Sequence, residues 1–355
     1  MNTNKRMDTY MKDYRLRLDG ALDELWEPLW RRPIRLFPEE KALLRSKTIR
    51  RLQFVRHGGA SFINTHHTYS RLQHTLGVFA LAAHFDPDNR VLRAAALLHD
   101  TGHAPFSHTF ESLEGVDHHL WTRDAVFAEE IAAILDGAKL DPELILDYID
   151  GAQRSLLRNK DGVLHADHLD SYVRSAYNGG YLPVPAGELL RGMSYRDGHL
   201  DFELPAGRIV TGLIEEEARM HGSLANIGIN AMMRKLARQL FAEGKIHAAE
   251  LPQMLDAHIE QLLLSEDRTR ENYEMLLLES WRIRVSREQP DVAAEQAVLH
   301  KLYLSMPLVD GISIAEISPQ IRAMLQALEQ MLGAYYVWLE KREGALMRSA
   351  EMLGV

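Results

Sequence analysis

Two neighbouring segments limit the folds open to this chain. Residues 74–85 (HTLGVFALAAHF) and 90–99 (RVLRAAALLH) are apolar on nearly every side of a helical projection. A helix without a polar stripe has to be enclosed by other elements. Neither segment is a membrane span: the longest unbroken apolar runs, such as Val78–Ala83, fall far short of the roughly 18 residues required. They read as the central helices of a helical domain. Asp86-Pro87-Asp88 breaks the chain between them, and Asp88 or Asn89 can cap the second. Gly102 and Pro105 end that helix in an irregular turn.

Around this pair, helical periodicity covers 123–136, 141–158 and 164–178. Composition shifts at Asn178–Pro185. Residues 192–204 then form the best strand candidate, because Asp197-Gly198 is a strong hairpin signal between short alternating runs. Helices are expected again over 207–243, 250–264, 267–281 and 319–353. The expected fold is all-α: an N-terminal segment over 1–45, a helical core over 46–180, and a helical C-terminal region over 181–355 carrying one small β-hairpin. The run 331–338 (MLGAYYVW) reads as core or as a contact between copies in a homo-oligomer.

The chain's chemistry is bounded by what it lacks. There are no cysteines, so thiolate zinc sites, iron–sulfur clusters and disulfides are excluded, and any metal must be held by His, Asp, Glu or water. The net charge of −9 argues against nucleic acid as the main partner. Residues 1–20 carry no apolar stretch of the secretory kind, so a cytoplasmic protein without membrane attachment is expected. Walker A, HExxH, GxSxG and GxGxxG patterns are absent.

Histidine is concentrated instead. Ten of the 17 histidines lie between His57 and His119. Three pieces belong together: Arg71-Leu72-Gln73-His74, His99-Asp100, and Asp167. Each falls on or at the end of an expected buried helix. A His-Asp doublet at a helix end can aim both side chains at one ion because the backbone is unwinding there. A His and an Asp from other helices would complete a cup of nitrogen and oxygen donors. Such a set suits Mn, Fe, Co, Ni or Zn, and with water also Mg.

The segments RLQHTLGV (71–78), HDTGHAPFSHTFE (99–111) and ADHLDSYVRS (166–175) resemble the HD-domain phosphohydrolase superfamily. Within it they look like the deoxynucleoside triphosphate triphosphohydrolase branch. The resemblance implies a divalent metal held by His74, His99, Asp100 and Asp167, and a nucleotide or other small phosphate-ester substrate. It implies that Arg71 meets phosphate, and that His103 or His108 donates a proton to the leaving group. Glu111 and His119 would support that histidine. A metal ion lowers the pKa of coordinated water toward ~7, and a histidine with an ordinary pKa of about 6.5 can serve as the acid.

The chain also departs from the branch. Arg56-His57-Gly58 stands where a sugar-reading Gln-Leu-Gly is usual. His168 replaces a basic or phosphate-meeting residue after the last metal Asp, and Ser171 an aromatic. On a later helix Arg219 survives, but Ile227, Ile229 and Asn230 fill the positions of residues that hold a triphosphate. Arg56, His168 and Arg219 are therefore the expected substrate contacts beside Arg71. Alternative readings are an HD phosphatase or phosphodiesterase on a nucleoside monophosphate, a di-iron oxygenase with His103 and His119 as extra ligands, and a metal-binding regulatory module without turnover.

Overall fold

The computed structural model describes residues 17–341. The two apolar segments form α1 (Arg71–Phe85) and α2 (Arg90–Leu98). Ser70 caps α1 by accepting from the Gln73 N–H, and Gln73 returns the bond to the Ser70 N–H. Asn89 caps α2 through the Leu92 N–H at 3.0 Å. His74–Ala82 and Leu92–Leu98 are buried throughout, as their composition requires. The one charge within the α2 run, Arg93, is neutralised by Glu40 at 2.7 Å.

α3 (Ala166–Gly179) packs on α1 and ends at Gly180, whose φ of +75° suits glycine. α4 (Leu204–His221) lies on α3, and α5 (Leu224–Ala242) follows it. The expected single helix over 207–243 is thus two. Gly222 ends the first, and Ser223 caps the second by accepting from the Asn226 N–H. The stretch 141–158 is helical only over Pro142–Ile149. The expected helix over 123–136 is divided at Ala128, between His118–Phe127 and Glu129–Ala138. A sixth helix bearing on the site, α6, covers Asp256–Ser265.

Among the described residues nine short strands form three small sheets: β1 (Glu24–Glu27), β2 (Arg32–Arg35), β3 (Met193–Arg196), β4 (His199–Phe202), β5 (Ile283–Ser286), β6 (Glu295–Leu299), β7 (Leu308–Val309), β8 (Ile312–Ser313) and β9 (Gly333–Leu339). The expected hairpin is β3–β4. Its turn residues Asp197 and Gly198 both have positive φ, 50° and 83°, which is the requirement of a type I′ turn. The chain is mostly helical, but all-α understates it.

The largest difference lies near the C-terminus. A helix covers Pro319–Glu329, but Gly333–Leu339 is the central strand of the sheet β5-β9-β6. Alternating aromatic and β-branched residues bury Tyr335 and Val337 on one face, so this run is core. The part of the expected helix beyond residue 341 lies outside the described residues.

One buried apolar cluster surrounds α1–α3 and takes in Leu25, Trp30 and Ile34 from the β1–β2 segment. A second joins Phe106 and Phe110 to Met232, Met233 and Leu236 of α5 and to Val337 of β9. The sheet covers α5, and the chain after β6 reaches over the ends of α2 and α3, where the site lies. Among the described residues no helix is long and apolar enough to cross a membrane.

Candidate active site

His74 points from the first turns of α1. His99 and Asp100 lie just past the last residue of α2, and Asp167 sits in the first turn of α3. His74 Nε2 is 3.2 Å from Asp167 Oδ1 and 3.7 Å from Asp100 Oδ2. His99 Nε2 is 3.4 Å from His74 Nε2, 3.6 Å from Asp100 Oδ1 and 3.9 Å from Asp167 Oδ1. Donors bound about 2.1 Å from one ion stand roughly 3.0–3.4 Å apart at octahedral or tetrahedral angles. The four side chains therefore need only contract slightly to share an ion.

The remaining bonds of the two imidazoles point the same way. His74 Nδ1 donates to Asp170 Oδ2 at 3.0 Å, and His99 Nδ1 donates to the Ala96 carbonyl at 2.9 Å. Each leaves Nε2 as the ring atom facing the other donors, which is the arrangement of a metal-ligating histidine. Burial opposes charge on His74, yet bonds to Asp167 and Asp170 and the charge of Asp100 lift its pKa to about 9. Burial also opposes ionisation of Asp100 and Asp167. Arg71 beside the first and His74 beside the second outweigh it and hold both carboxyls well below the usual range. The cup stabilises positive charge at its centre, and the donor set fits a divalent ion.

Asp170 anchors this cup. It accepts from Trp30 Nε1 at 2.7 Å and twice from Arg174 at 2.9 Å, besides His74. Arg174 in turn donates to the buried Glu27 at 2.9 Å. Gly77, one turn along α1 from His74, makes room: a Cβ there would sit 1.9 Å from Asp170 Oδ1. Arg71 donates from Nη1 to Asp100 at 2.9 Å, from Nε to Ser107 Oγ at 2.9 Å and from Nη2 to the His57 carbonyl at 3.3 Å. Two of its five N–H groups remain for a ligand. It positions a metal-type carboxylate as well as facing the cavity.

The turn after Asp100 carries the remaining histidines. Phe106 and Ser107 both have left-handed backbones, φ 56° and 47°. Such residues need support from outside. Asp256 of α6 accepts from the Phe106 N–H at 2.8 Å, and Ser107 Oγ donates to the Arg56 carbonyl at 2.6 Å. His103 is buried with Nε2 3.3 Å from Asp100 Oδ1, and its ring stacks on His118 at 4.3 Å. His108 is partly exposed, and its Nδ1 meets Glu111 at 2.5 Å. Burial works against ionisation of Glu111, but His108 and His118 outweigh it and hold the carboxyl well below the ordinary range. The second histidine on Glu111 is His118, at 2.9 Å. His119, expected there, is one residue off and packs its ring on His118 at 4.0 Å.

Arg71, His99, Asp100, Asp167, His103 and His108 line one cavity of about 320 Å³, large enough for a small ligand. Of the expected substrate contacts, Arg71 and His168 line it. His168 faces Tyr303, and burial pushes its pKa down to about 4. Arg56 does not reach the cavity. It pairs with Glu260 at 2.7 Å and Asp256 at 3.3 Å and lies over the Phe62 ring. Arg219 pairs with Glu215 at 2.6 Å on the exposed side of α4. His57 and Ser171, two of the departures, meet each other: His57 Nε2 is 3.3 Å from Ser171 Oγ.

Three cations that the sequence did not single out line the cavity: Arg158, before α3; Arg234, on α5; and Lys301, after β6. Among the described residues none has a carboxylate within salt-bridge distance, although Lys301 lies over the Tyr303 ring at 4.7 Å. No local pattern marks the first and last, which sit in irregular segments. Arg234 is one of several cations on α5. Asp170 had a signal: it lies three residues after Asp167, on the same face of α3.

Residues 71–172 match the HD domain family, and all four donors of the cup fall inside that range. Over 181 residues the chain is 29% identical to the uncharacterized protein YwfO of Bacillus subtilis, covering 45% of this chain and 38% of that one. It is 28% identical over 162 residues to the uncharacterized protein MJ1154 of Methanocaldococcus jannaschii, covering 41% and 32%. The matched part thus spans well under half the length of these relatives. The crystal structure of a phosphohydrolase from Bacteroides thetaiotaomicron superposes with a TM-score of 0.68 at 15% identity, over 90% of this chain and 100% of that one. A hypothetical protein from Aquifex aeolicus superposes with a TM-score of 0.66 at 17% identity, over 91% and 98%. At such identities the likeness is one of fold, and it extends over most of both chains.

Proposed function

We propose that this chain is a metal-dependent phosphohydrolase acting on a nucleotide, with the phosphate end of the substrate over His74, His99, Asp100 and Asp167. One observation carries the reading: the metal-type cup opens into a cavity whose wall holds Arg158, Arg234 and Lys301 without counter-ions. Arg158 and Arg234 are half-buried and Lys301 is exposed, and cations without counter-ions along a cavity suit an anion. Arg71 is paired with Asp100, but the three cations without counter-ions already carry more charge than one phosphate of about −2 requires, which favours a di- or triphosphate. Together with the resemblance to dNTP triphosphohydrolases, this points to conversion of a dNTP to deoxynucleoside and triphosphate.

A divalent ion in the cup supplies an acidified water and neutralises a phosphoryl oxygen. The two free N–H groups of Arg71 hold a second phosphate oxygen. His108 keeps Nδ1 on Glu111 and has Nε2 free to donate a proton to the leaving oxygen. His103, with Nε2 on Asp100, is better placed to position that carboxylate. A second reading, a monophosphatase, draws on Arg56: the residue in the sugar-reading place is tied to Asp256 and Glu260 and leaves the sugar unread.

Product analysis over dNTPs, NTPs and monophosphates with Mn, Mg, Co and Ni tests both. Triphosphate is the expected product, whereas orthophosphate from monophosphates alone would overturn the first reading in favour of the second. His108→Ala should lower kcat by roughly 10²–10⁴, the usual size of general acid catalysis, with metal content unchanged. Loss of the metal along with activity would make His108 a ligand instead.

A further inference from the structure

The cavity contains a second group of metal-type donors that the proposed chemistry does not use. His67 precedes α1, and Glu217 and His221 stand one turn apart on α4. One ligand atom from each lies within 4.8 Å of the others, and His221 Nε2 is 3.4 Å from Glu217 Oε1. All three line the cavity. Their rings and carboxyl are far from a surface ion pair: His67 and Glu217 are only 4% and 3% exposed.

Glu217 is incompletely satisfied. Its Oε1 accepts from Ser175 Oγ at 3.2 Å, but Oε2 is buried with no partner. No lysine or arginine lies within salt-bridge distance among the described residues. A buried carboxylate oxygen left bare is costly, and a counter-charge is what it lacks. His67 shows the same deficit at Nδ1, which is also buried without a partner. Its Nε2 shares the Tyr69 hydroxyl at 2.7 Å and His57 Nδ1 at 3.1 Å.

From this geometry we propose that His67, Glu217 and His221 form a second divalent-metal site, separate from the HD-type cup and open to the same cavity. Two imidazoles and one carboxylate are the donor set of borderline ions such as Zn, Co, Ni or Fe, and three protein ligands leave positions for water or a ligand oxygen. The site does not depend on the proposed reaction, since none of its residues belongs to the cup.

The test counts ions rather than turnover. Chelator-stripped protein is titrated with Co(II), followed by its visible absorption and by metal analysis after gel filtration. Wild type should take up two ions per chain. Glu217→Gln, which keeps the shape, and His221→Ala, at a less buried position, should each take up one while folding as wild type by circular dichroism. Asp100→Ala should also keep one, at the second site. A wild-type count that neither Glu217→Gln nor His221→Ala lowers, whether one ion or two, would overturn the proposal. Loss of the second ion in His108→Ala but not in Glu217→Gln would overturn it too, assigning that ion to the His103–His108–Glu111 group. Asp100→Ala with an undiminished count would sink the cup's assignment and leave this one standing.

Discussion

Gly77→Ala is the smallest change that should disable the metal cup. The added Cβ falls 1.9 Å from Asp170 Oδ1, 2.3 Å from Arg174 Nη2 and 2.5 Å from Asp170 Cγ. Ordinary contact needs about 3.4 Å, so the carboxylate has to move by roughly 1.5 Å in a packed interior. Oδ1 holds the bonds from Trp30 and Arg174 Nη2, and Oδ2 those from His74 and Arg174 Nε. Losing two of these charge-assisted bonds at about 1.5–3 kcal/mol each costs roughly 3–6 kcal/mol. The helix propensity of alanine returns about 1 kcal/mol, leaving a net loss of roughly 2–5 kcal/mol. Because Asp170 orients His74, metal affinity should fall about 10–100-fold. Urea unfolding of the metal-free protein gives the first quantity, and competition with a chromophoric chelator gives the second. Gly212→Ala is the matched control: it lies exposed in α4, and its Cβ would meet nothing within 4 Å. The reasoning fails if Gly77→Ala unfolds and binds metal as Gly212→Ala does.

Arg71→Lys keeps the charge but cannot bond Asp100, Ser107 and the His57 carbonyl together. Activity should drop by roughly 10–100-fold, and steady-state kinetics with wild-type kcat and KM would contradict the positioning role. A pH effect is expected at Asp256, whose buried carboxyl is pushed up to about 6 by desolvation that two backbone N–H bonds and Arg56 only partly offset. With the folded pKa above the unfolded one, this group's contribution to stability is complete below about pH 4 and is lost as pH rises through about 6, a span worth roughly 3 kcal/mol. Asp256→Asn should therefore gain on wild type by up to that amount between pH 4 and 7 in urea unfolding, and a difference constant with pH would refute the assignment.

The helical core and the order of the metal-type residues were legible in the sequence because each is encoded over short distances. All-round apolar residues define α1 and α2, Ser70 and Asn89 cap them, and His99-Asp100 falls where α2 unwinds. The Asp197-Gly198 hairpin is equally local, since its two positive φ values suit those residues. What tertiary structure decided is which face of each element meets the cavity. Arg56 has the right charge in the right motif, but Asp256 and Glu260, some 200 positions later, fold back and claim it. Arg219 and Arg234 are both cations on C-terminal helices, and only packing against the β5-β9-β6 sheet and α3 turns one outward and the other in. His118 and His119 are adjacent on one helix turn, where 100° of rotation decides which reaches Glu111. Lys301 and Tyr303 enter the site from an irregular segment that no periodicity marks. Residues 333–339 become a strand because β5 and β6 flank them with bonding edges. Long-range partners of this kind are set by chain closure, and a local pattern holds no record of them.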